Sequence, residues 1–218
     1  MTASVEAKPV GDVAEVRPAA RPVVFKRENL RPPDVIAQKQ RRTLELCAGS
    51  GGLSYALWKQ GFDATGVDWL GNRHATKIPL ILRDLTDPAQ QKEVEELRRG
   101  IDYLHMAPPC GTASAARGYG VSAEDKAKGA PEPVPLRSKQ HPWGLPGLSE
   151  YNKMKVEKAN AIYIFCISMI AWCCEHKPTI IFTLENPSRS WLWDLPPMKD
   201  VMKRFNLSLL HTHVHARK

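Results

Sequence analysis

No uncharged apolar stretch in this 218-residue chain reaches the roughly 20 residues a membrane-spanning helix needs. The longest, Tyr163 to Cys174, is bounded by Lys158 and Glu175, so no membrane partner is expected. Cysteine is scarce: Cys47, Cys110, Cys166, Cys173 and Cys174 form an odd, scattered set without the spacing of a disulfide scaffold. That pattern points to free thiols in a reducing, intracellular compartment. The first residues lack a signal-peptide apolar core, and their acidic side chains argue against a transit peptide. No internal repeat is visible. Metal-ligand spacing is also missing: His211, His213 and His215 would share one face of a strand, but no fourth ligand accompanies them, and no metal is expected. Acidic residues are outnumbered, 23 against 31 Lys and Arg, for a formal net charge of +8. The excess favours a polyanionic partner without identifying one.

What is present divides the chain in two. Residues 1–41 carry prolines at 9, 18, 22, 32 and 33 among mixed charges, with no sustained period of 2 or 3.6. This composition predicts a disordered or loosely attached basic, proline-rich arm. From Arg42, short apolar runs alternate with helical stretches, the signature of a mostly parallel α/β sheet in one domain over 42–218. Strands are predicted over 43–47, 64–68, 78–82, 101–106, 179–184 and 207–214. Helices are predicted over about 52–60, 88–99, 151–176 and 197–205, the second opened by Asp87-Pro88 as cap and first-turn proline. The Gly- and Pro-rich segment 107–150, with Arg117, Lys126, Lys128, Arg137 and Lys139, predicts a mobile flap following Cys110.

Three strand ends carry the chemistry. After the first, Gly49, Gly51 and Gly52 let the backbone turn sharply and approach a ligand without a Cβ in the way. After the second, Asp68 lies where an acid can accept both hydroxyl hydrogens of a ribose, and Trp69 offers a flat face for an adenine. After the third, Asp84 is a candidate acceptor for the adenine amino group, with Asp87 in the same loop as a competitor. The glycine spacing is not G-x-G-x-x-G, which favours S-adenosylmethionine over a dinucleotide. The alternative is that the glycines only turn and the acids only cap helices.

The other two segments are Ala107-Pro108-Pro109-Cys110 and Leu184-Glu185-Asn186-Pro187. Two prolines stiffen the backbone before Cys110 and fix where its sulfur points, which suits a nucleophile. The other four cysteines read as small buried hydrophobes, three of them on one long apolar helix. A carboxylate directly after the apolar run 179–184 predicts a buried Glu185 with a raised pKa, able to donate a proton, with Asn186 orienting it. A thiol and a proton donor facing one ring suggest methyl transfer to a nucleic-acid base. Trp191 and Trp193 beside Arg189 are read either as base-stacking groups or as core anchors of a short helix.

Leu44 to Gly52, Asp68-Trp69, Pro108-Pro109-Cys110 and Glu185-Asn186 occur in the order and approximate spacing of cytosine-5 DNA methyltransferases, which the chain resembles from residue 43 to about 188. Within it, Ala107 to Ser114, Leu136 to Leu148 and Glu185 to Trp193 look most like short methyltransferase-like modules of algal or dinoflagellate retroelement-type proteins. The resemblance implies a Rossmann-like S-adenosylmethionine-dependent methyltransferase fold, mostly parallel sheet with helices on both faces. It implies S-adenosylmethionine as cofactor, held by Cys47, Gly49, Gly51, Gly52, Asp68, Trp69, Asp84 and Pro108. It also implies Cys110 as nucleophile, Glu185 and Asn186 at the ring, and Arg117 on phosphate. The substrate would be cytosine in DNA, with RNA left open, which alone suggests a nuclear site; the chain could belong to a larger polyprotein.

The departures are specific. Cys47 replaces the family's usual aromatic before Ala48-Gly49, Gly111 stands for its glutamine and Pro187 for its valine. Only 31 residues follow Pro187, where the family continues into an arginine-bearing strand and a target-recognition region. Two rivals stay open: an amino-group methyltransferase, whose Asp-Pro-Pro-aromatic signature resembles Ala107 to Cys110, and a non-catalytic nucleic-acid or cofactor-binding remnant.

Overall fold

The computed structural model describes residues 40–210. Almost all of the arm predicted over 1–41 lies outside the described residues, as do the three alternating histidines. The strand predicted over 207–214 is absent where it can be assessed: residues 207–210 are irregular, and the rest lies outside the described residues.

Five strands form one all-parallel sheet: β1 (Arg42–Leu46), β2 (Asp63–Asp68), β3 (Leu80–Leu82), β4 (Tyr103–Met106) and β5 (Ile181–Leu184), in the order β3-β2-β1-β4-β5. The chain is α/β, compatible with a Rossmann-like arrangement. Three of the strands start two residues later than predicted. Ile101 and Ile180 are buried but lie in the approach to β4 and β5, so apolar character begins before the ladder does.

Register fixes what each face carries. Glu45 of β1 stands opposite Gly66 of β2 and His105 of β4, which stands opposite Thr183 of β5. Leu44, Leu46, Leu104 and Met106 point the other way. On the first face lies α1 (Gly52–Lys59), whose Ser54 donates from its N–H (2.8 Å) and its hydroxyl (2.5 Å) to the buried Glu45 carboxylate. On the second lie α2 (Pro88–Leu97) and α4 (Glu150–His176). Val94 of α2 and Tyr163, Cys166, Met169 and Ile170 of α4 share one buried cluster with the four apolar strand residues. Between β4 and α4 lies the short helix α3 (Ala123–Ala127), and α5 (Pro196–Arg204) follows β5.

Helix starts follow their caps. The Asp87 side chain accepts the Ala89 N–H at 2.9 Å ahead of Pro88, and Ser149 opens α4. By length and composition α4 would suffice to cross a membrane, contrary to the expectation from the run 163–174 alone. Here it is the core helix of the sheet, half of its most apolar window buried.

β5 is one of the two edge strands of the sheet among the described residues, β3 being the other. Ile181 is 65 % exposed and Thr183 is exposed, so β5 is covered on its α4 side only.

Candidate active site at the carboxyl edge of the sheet

The chain winds outward from β1 to β3 in one direction and from β4 to β5 in the other, so the crevice beyond the ends of β1 and β4 is a topological switch point, the usual ligand position in open parallel sheets. Cys47 to Gly52 leaves β1 and Ala107 to Cys110 leaves β4, one on each side of it.

On the β1 side, Gly49 (φ 55°) and Gly51 (φ 65°) adopt the left-handed conformation, and so does Cys47 (φ 58°), where a side chain is unfavourable. Asp68 ties the turn down: its carboxylate accepts the Gly49 N–H at 2.6 Å and the Trp69 N–H at 2.7 Å. The loop 69–77 then folds back over the turn. Asn72 donates to the Gly49 carbonyl at 2.5 Å and the Lys77 N–H to the Ser50 carbonyl at 2.8 Å. Trp69 is 58 % exposed, its ring lying over Gly71. Gly52 begins α1. Asp84 accepts the N–H (2.9 Å) and hydroxyl (2.7 Å) of Thr86, and Asp87 caps α2; its carboxyl is held below the usual range by Gln90 and Ala89. Cys47 is driven up to about 12 by burial and by Asp68, so it packs as a thiol.

Asp68 is buried and each of its oxygens already accepts one backbone N–H, which leaves one lone pair on each for a further donor, and the indole beside it is open. The glycines have a reason of their own. A Cβ on Gly51 would come within 3.1 Å of Ile78, and that contact with the positive φ accounts for glycine there without a ligand.

On the β4 side, Cys110 opens a 3-10 turn, Cys110–Thr112, and is exposed. The other four thiols are pushed up by burial, Cys173 to about 11. Pro108 is buried, and its carbonyl accepts from Asn186 Nδ2 at 2.9 Å, while the Glu185 N–H donates to Met106 at 2.8 Å. These bonds bring the Pro108-Pro109-Cys110 and Glu185-Asn186 segments to adjacent strand ends. Farther on, Trp191 N–H donates to Ala113 at 2.9 Å and Ala115 N–H to Arg189 at 3.2 Å.

Two expectations change. Glu185 is exposed, not buried, because β5 is an edge and nothing described covers its outer side. The segment 107–150 is tethered rather than free: Arg137 is 3 % exposed and bonded to Thr112, Pro142, Val156 and Asn160. Arg117, expected on phosphate, donates within the chain to the carbonyls of Gly111 and Val134 (2.9 Å). Trp191 and Trp193 act as anchors: they pack against the core around the fully buried Leu192, and Trp193 donates to the Pro187 carbonyl at 2.8 Å.

Glu185 and Asn186 line a cleft of about 610 Å³ with Phe182, Leu184, Trp193 and Met202. Cys110 is not among its lining residues. Within the cleft wall, Asn186 Oδ1 is a buried acceptor without a described donor.

Three residues at this edge were missed as contributors: Glu45, Arg137 and Tyr163. Glu45 between Leu44 and Leu46 carried a signal, a charge at the alternate position of a strand. Its charge and that of Glu185 oppose the burial that pulls His105 below its usual value. Tyr163, buried in α4, donates to the Pro109 carbonyl at 2.6 Å; burial raises its pKa, which keeps the hydroxyl a donor.

The fold defines an α/β protein with a five-stranded parallel sheet and two loop clusters at its switch point. Comparison with protein-family models, curated proteins and solved structures finds no match to this chain.

Proposed function

We propose that the chain belongs to the S-adenosylmethionine-dependent methyltransferase fold and acts on carbon 5 of cytosine in DNA. The observation that carries the reading is the pairing of β4 with β5, closed by the Asn186–Pro108 hydrogen bond, which sets the one exposed cysteine and a carboxylate at neighbouring strand ends beside the glycine turn. Asp68 and Trp69 would hold the ribose and adenine of S-adenosylmethionine, which supplies an electrophilic methyl group when bound. Cys110, its thiol proton passed to solvent, would bond through Sγ to carbon 6 of the cytosine while the Glu185 carboxyl gives a proton to ring nitrogen 3, and electron density moves to carbon 5. Once carbon 5 had taken the methyl group, with the demethylated thioether as leaving product, water would remove the carbon-5 proton, the sulfur–carbon bond would break to return the Cys110 thiolate, and the nitrogen-3 proton would go back to the Glu185 carboxylate. A duplex substrate must first expose the base, which costs a few kcal/mol. Because Glu185 is exposed in the free chain, proton donation calls for the nucleic acid itself to cover the carboxyl.

One observation favours a second reading, a binding module without transfer: Glu185 faces a cleft that Cys110 does not line. A 5-fluorocytosine oligonucleotide with S-adenosylmethionine separates the two. A denaturation-resistant adduct that Cys110→Ala abolishes supports the enzyme. Oligonucleotide binding with no adduct supports the module, and a methyl group recovered on an amino nitrogen supports an amino-group methyltransferase.

A further inference from the structure

We propose that Arg137 and Tyr163 are positioning residues that together aim the Cys110 sulfur. The inference rests on the reading of Cys110 as the nucleophile. A basic residue in a Gly- and Pro-rich connection is normally solvated, yet Arg137 is buried and donates to five oxygens, none of them a carboxylate. Two of the five belong to Thr112: its carbonyl at 3.2 Å and its hydroxyl at 3.0 Å. Two more belong to α4: Asn160 Oδ1 at 2.7 Å and the Val156 carbonyl at 3.4 Å. The planar guanidinium therefore ties the end of the cysteine turn to the core helix in a fixed orientation, which a flexible ammonium would not.

Tyr163 completes the clasp from the same helix. Its ring centroid lies 5.3 Å from the Arg137 guanidinium carbon, and its hydroxyl holds the Pro109 carbonyl, the last oxygen before Cys110. The turn is thus fixed on both sides of the cysteine, while the Cys110 carbonyl accepts the N–H groups of Ala113 and Ser114, each at 2.9 Å. The backbone is immobilised from behind and the thiol stays open in front. A nucleophile needs that combination, since small misplacements of reacting atoms are costly in rate.

Tyr163→Phe removes one hydrogen bond and no volume from the core; Arg137→Lys keeps the charge and removes the fork. Amide hydrogen exchange and adduct formation with the 5-fluorocytosine oligonucleotide are measured on both variants and the parent. We expect exchange over residues 110–114 to speed up about tenfold, with α1 and β1 unchanged. Adduct formation is expected to slow at least tenfold, with iodoacetamide labelling of Cys110 unchanged and Cys166 and Cys173 still protected. Parent-like exchange in the turn with Tyr163→Phe overturns the proposal. So does loss of adduct accompanied by labelling of Cys166 and Cys173, because the pair then merely holds the fold. If the parent forms no adduct, the methyltransferase reading fails by itself and the exchange result alone decides the clasp.

Discussion

Beyond β1 and β2 the loops are short and close on themselves: Asp68, Asn72 and Lys77 take up the polar groups of the glycine turn, and little of that turn's backbone remains free. Beyond β4 the connection is long, and its hold on the protein comes from behind, through Arg137 and Tyr163, with Cys110 left open. The first side is built so that disturbing it disturbs folding. On the second, a side chain can change while the sheet beneath it stands.

Thiol labelling probes this contrast with the largest expected effect. A thiol held at about 12, as Cys47 is, exists as roughly one thiolate in ten thousand at pH 8. Peptide mapping after iodoacetamide treatment should find Cys110 modified at least ~100-fold faster than Cys47, Cys166 or Cys173. Equal labelling would break the distinction between open and closed sides. Next is Asp68→Ala, which orphans the Gly49 and Trp69 N–H groups and should lower the unfolding free energy by about 2–4 kcal/mol in urea. An unchanged urea midpoint would show that the turn does not depend on the carboxylate. Gly66→Ala in β2 should cost about 1–3 kcal/mol. Its Cβ would lie 2.6 Å from Leu80 Cδ2 and 3.2 Å from Ala48 Cβ, with φ unrestricted, so a full-stability variant would mean that β3 yields readily.

The smallest effect concerns His105, which meets Thr183 at 2.7 Å where the two sides join. Burial lowers its pKa in the folded chain, Glu45 and Glu185 opposing. Below the unfolded value of about 6.5 the unfolded chain therefore binds more protons, so this group's contribution to stability falls as pH drops through that region toward the folded value. Urea midpoints of the parent should decline more steeply than those of His105→Gln between pH 7.5 and 5.5. Parallel declines would sharpen the comparison differently, assigning acid sensitivity to the carboxylates instead.

The sheet was largely legible from residue order. Alternation of apolar runs with helical stretches located β1 to β5, Asp87-Pro88 marked the start of α2, and the helix predicted from residue 151 begins at Glu150. Glu185 was misjudged because Thr179 to Leu184 reads the same whether one or both sides of a strand are covered; only topology reveals an edge. Arg137 was read as a loop cation because nothing local distinguishes a solvated guanidinium from one whose acceptors are contributed by α4 and the cysteine turn. Asp68 was expected at the end of the second strand and lies there, but its backbone partners depend on loop geometry that spacing does not encode. Which way the Cys110 and Glu185 side chains point is set by tertiary contacts, and no periodicity carries that.

The length of α4 has a consequence for biosynthesis. Chain order delivers this helix before β5 and α5, and β5 pairs with a strand 78 residues earlier. A nascent chain therefore displays a 27-residue apolar-faced helix before the last elements that shelter it have been made. How quickly those elements follow governs whether the polypeptide matures or is captured by chaperones and proteases.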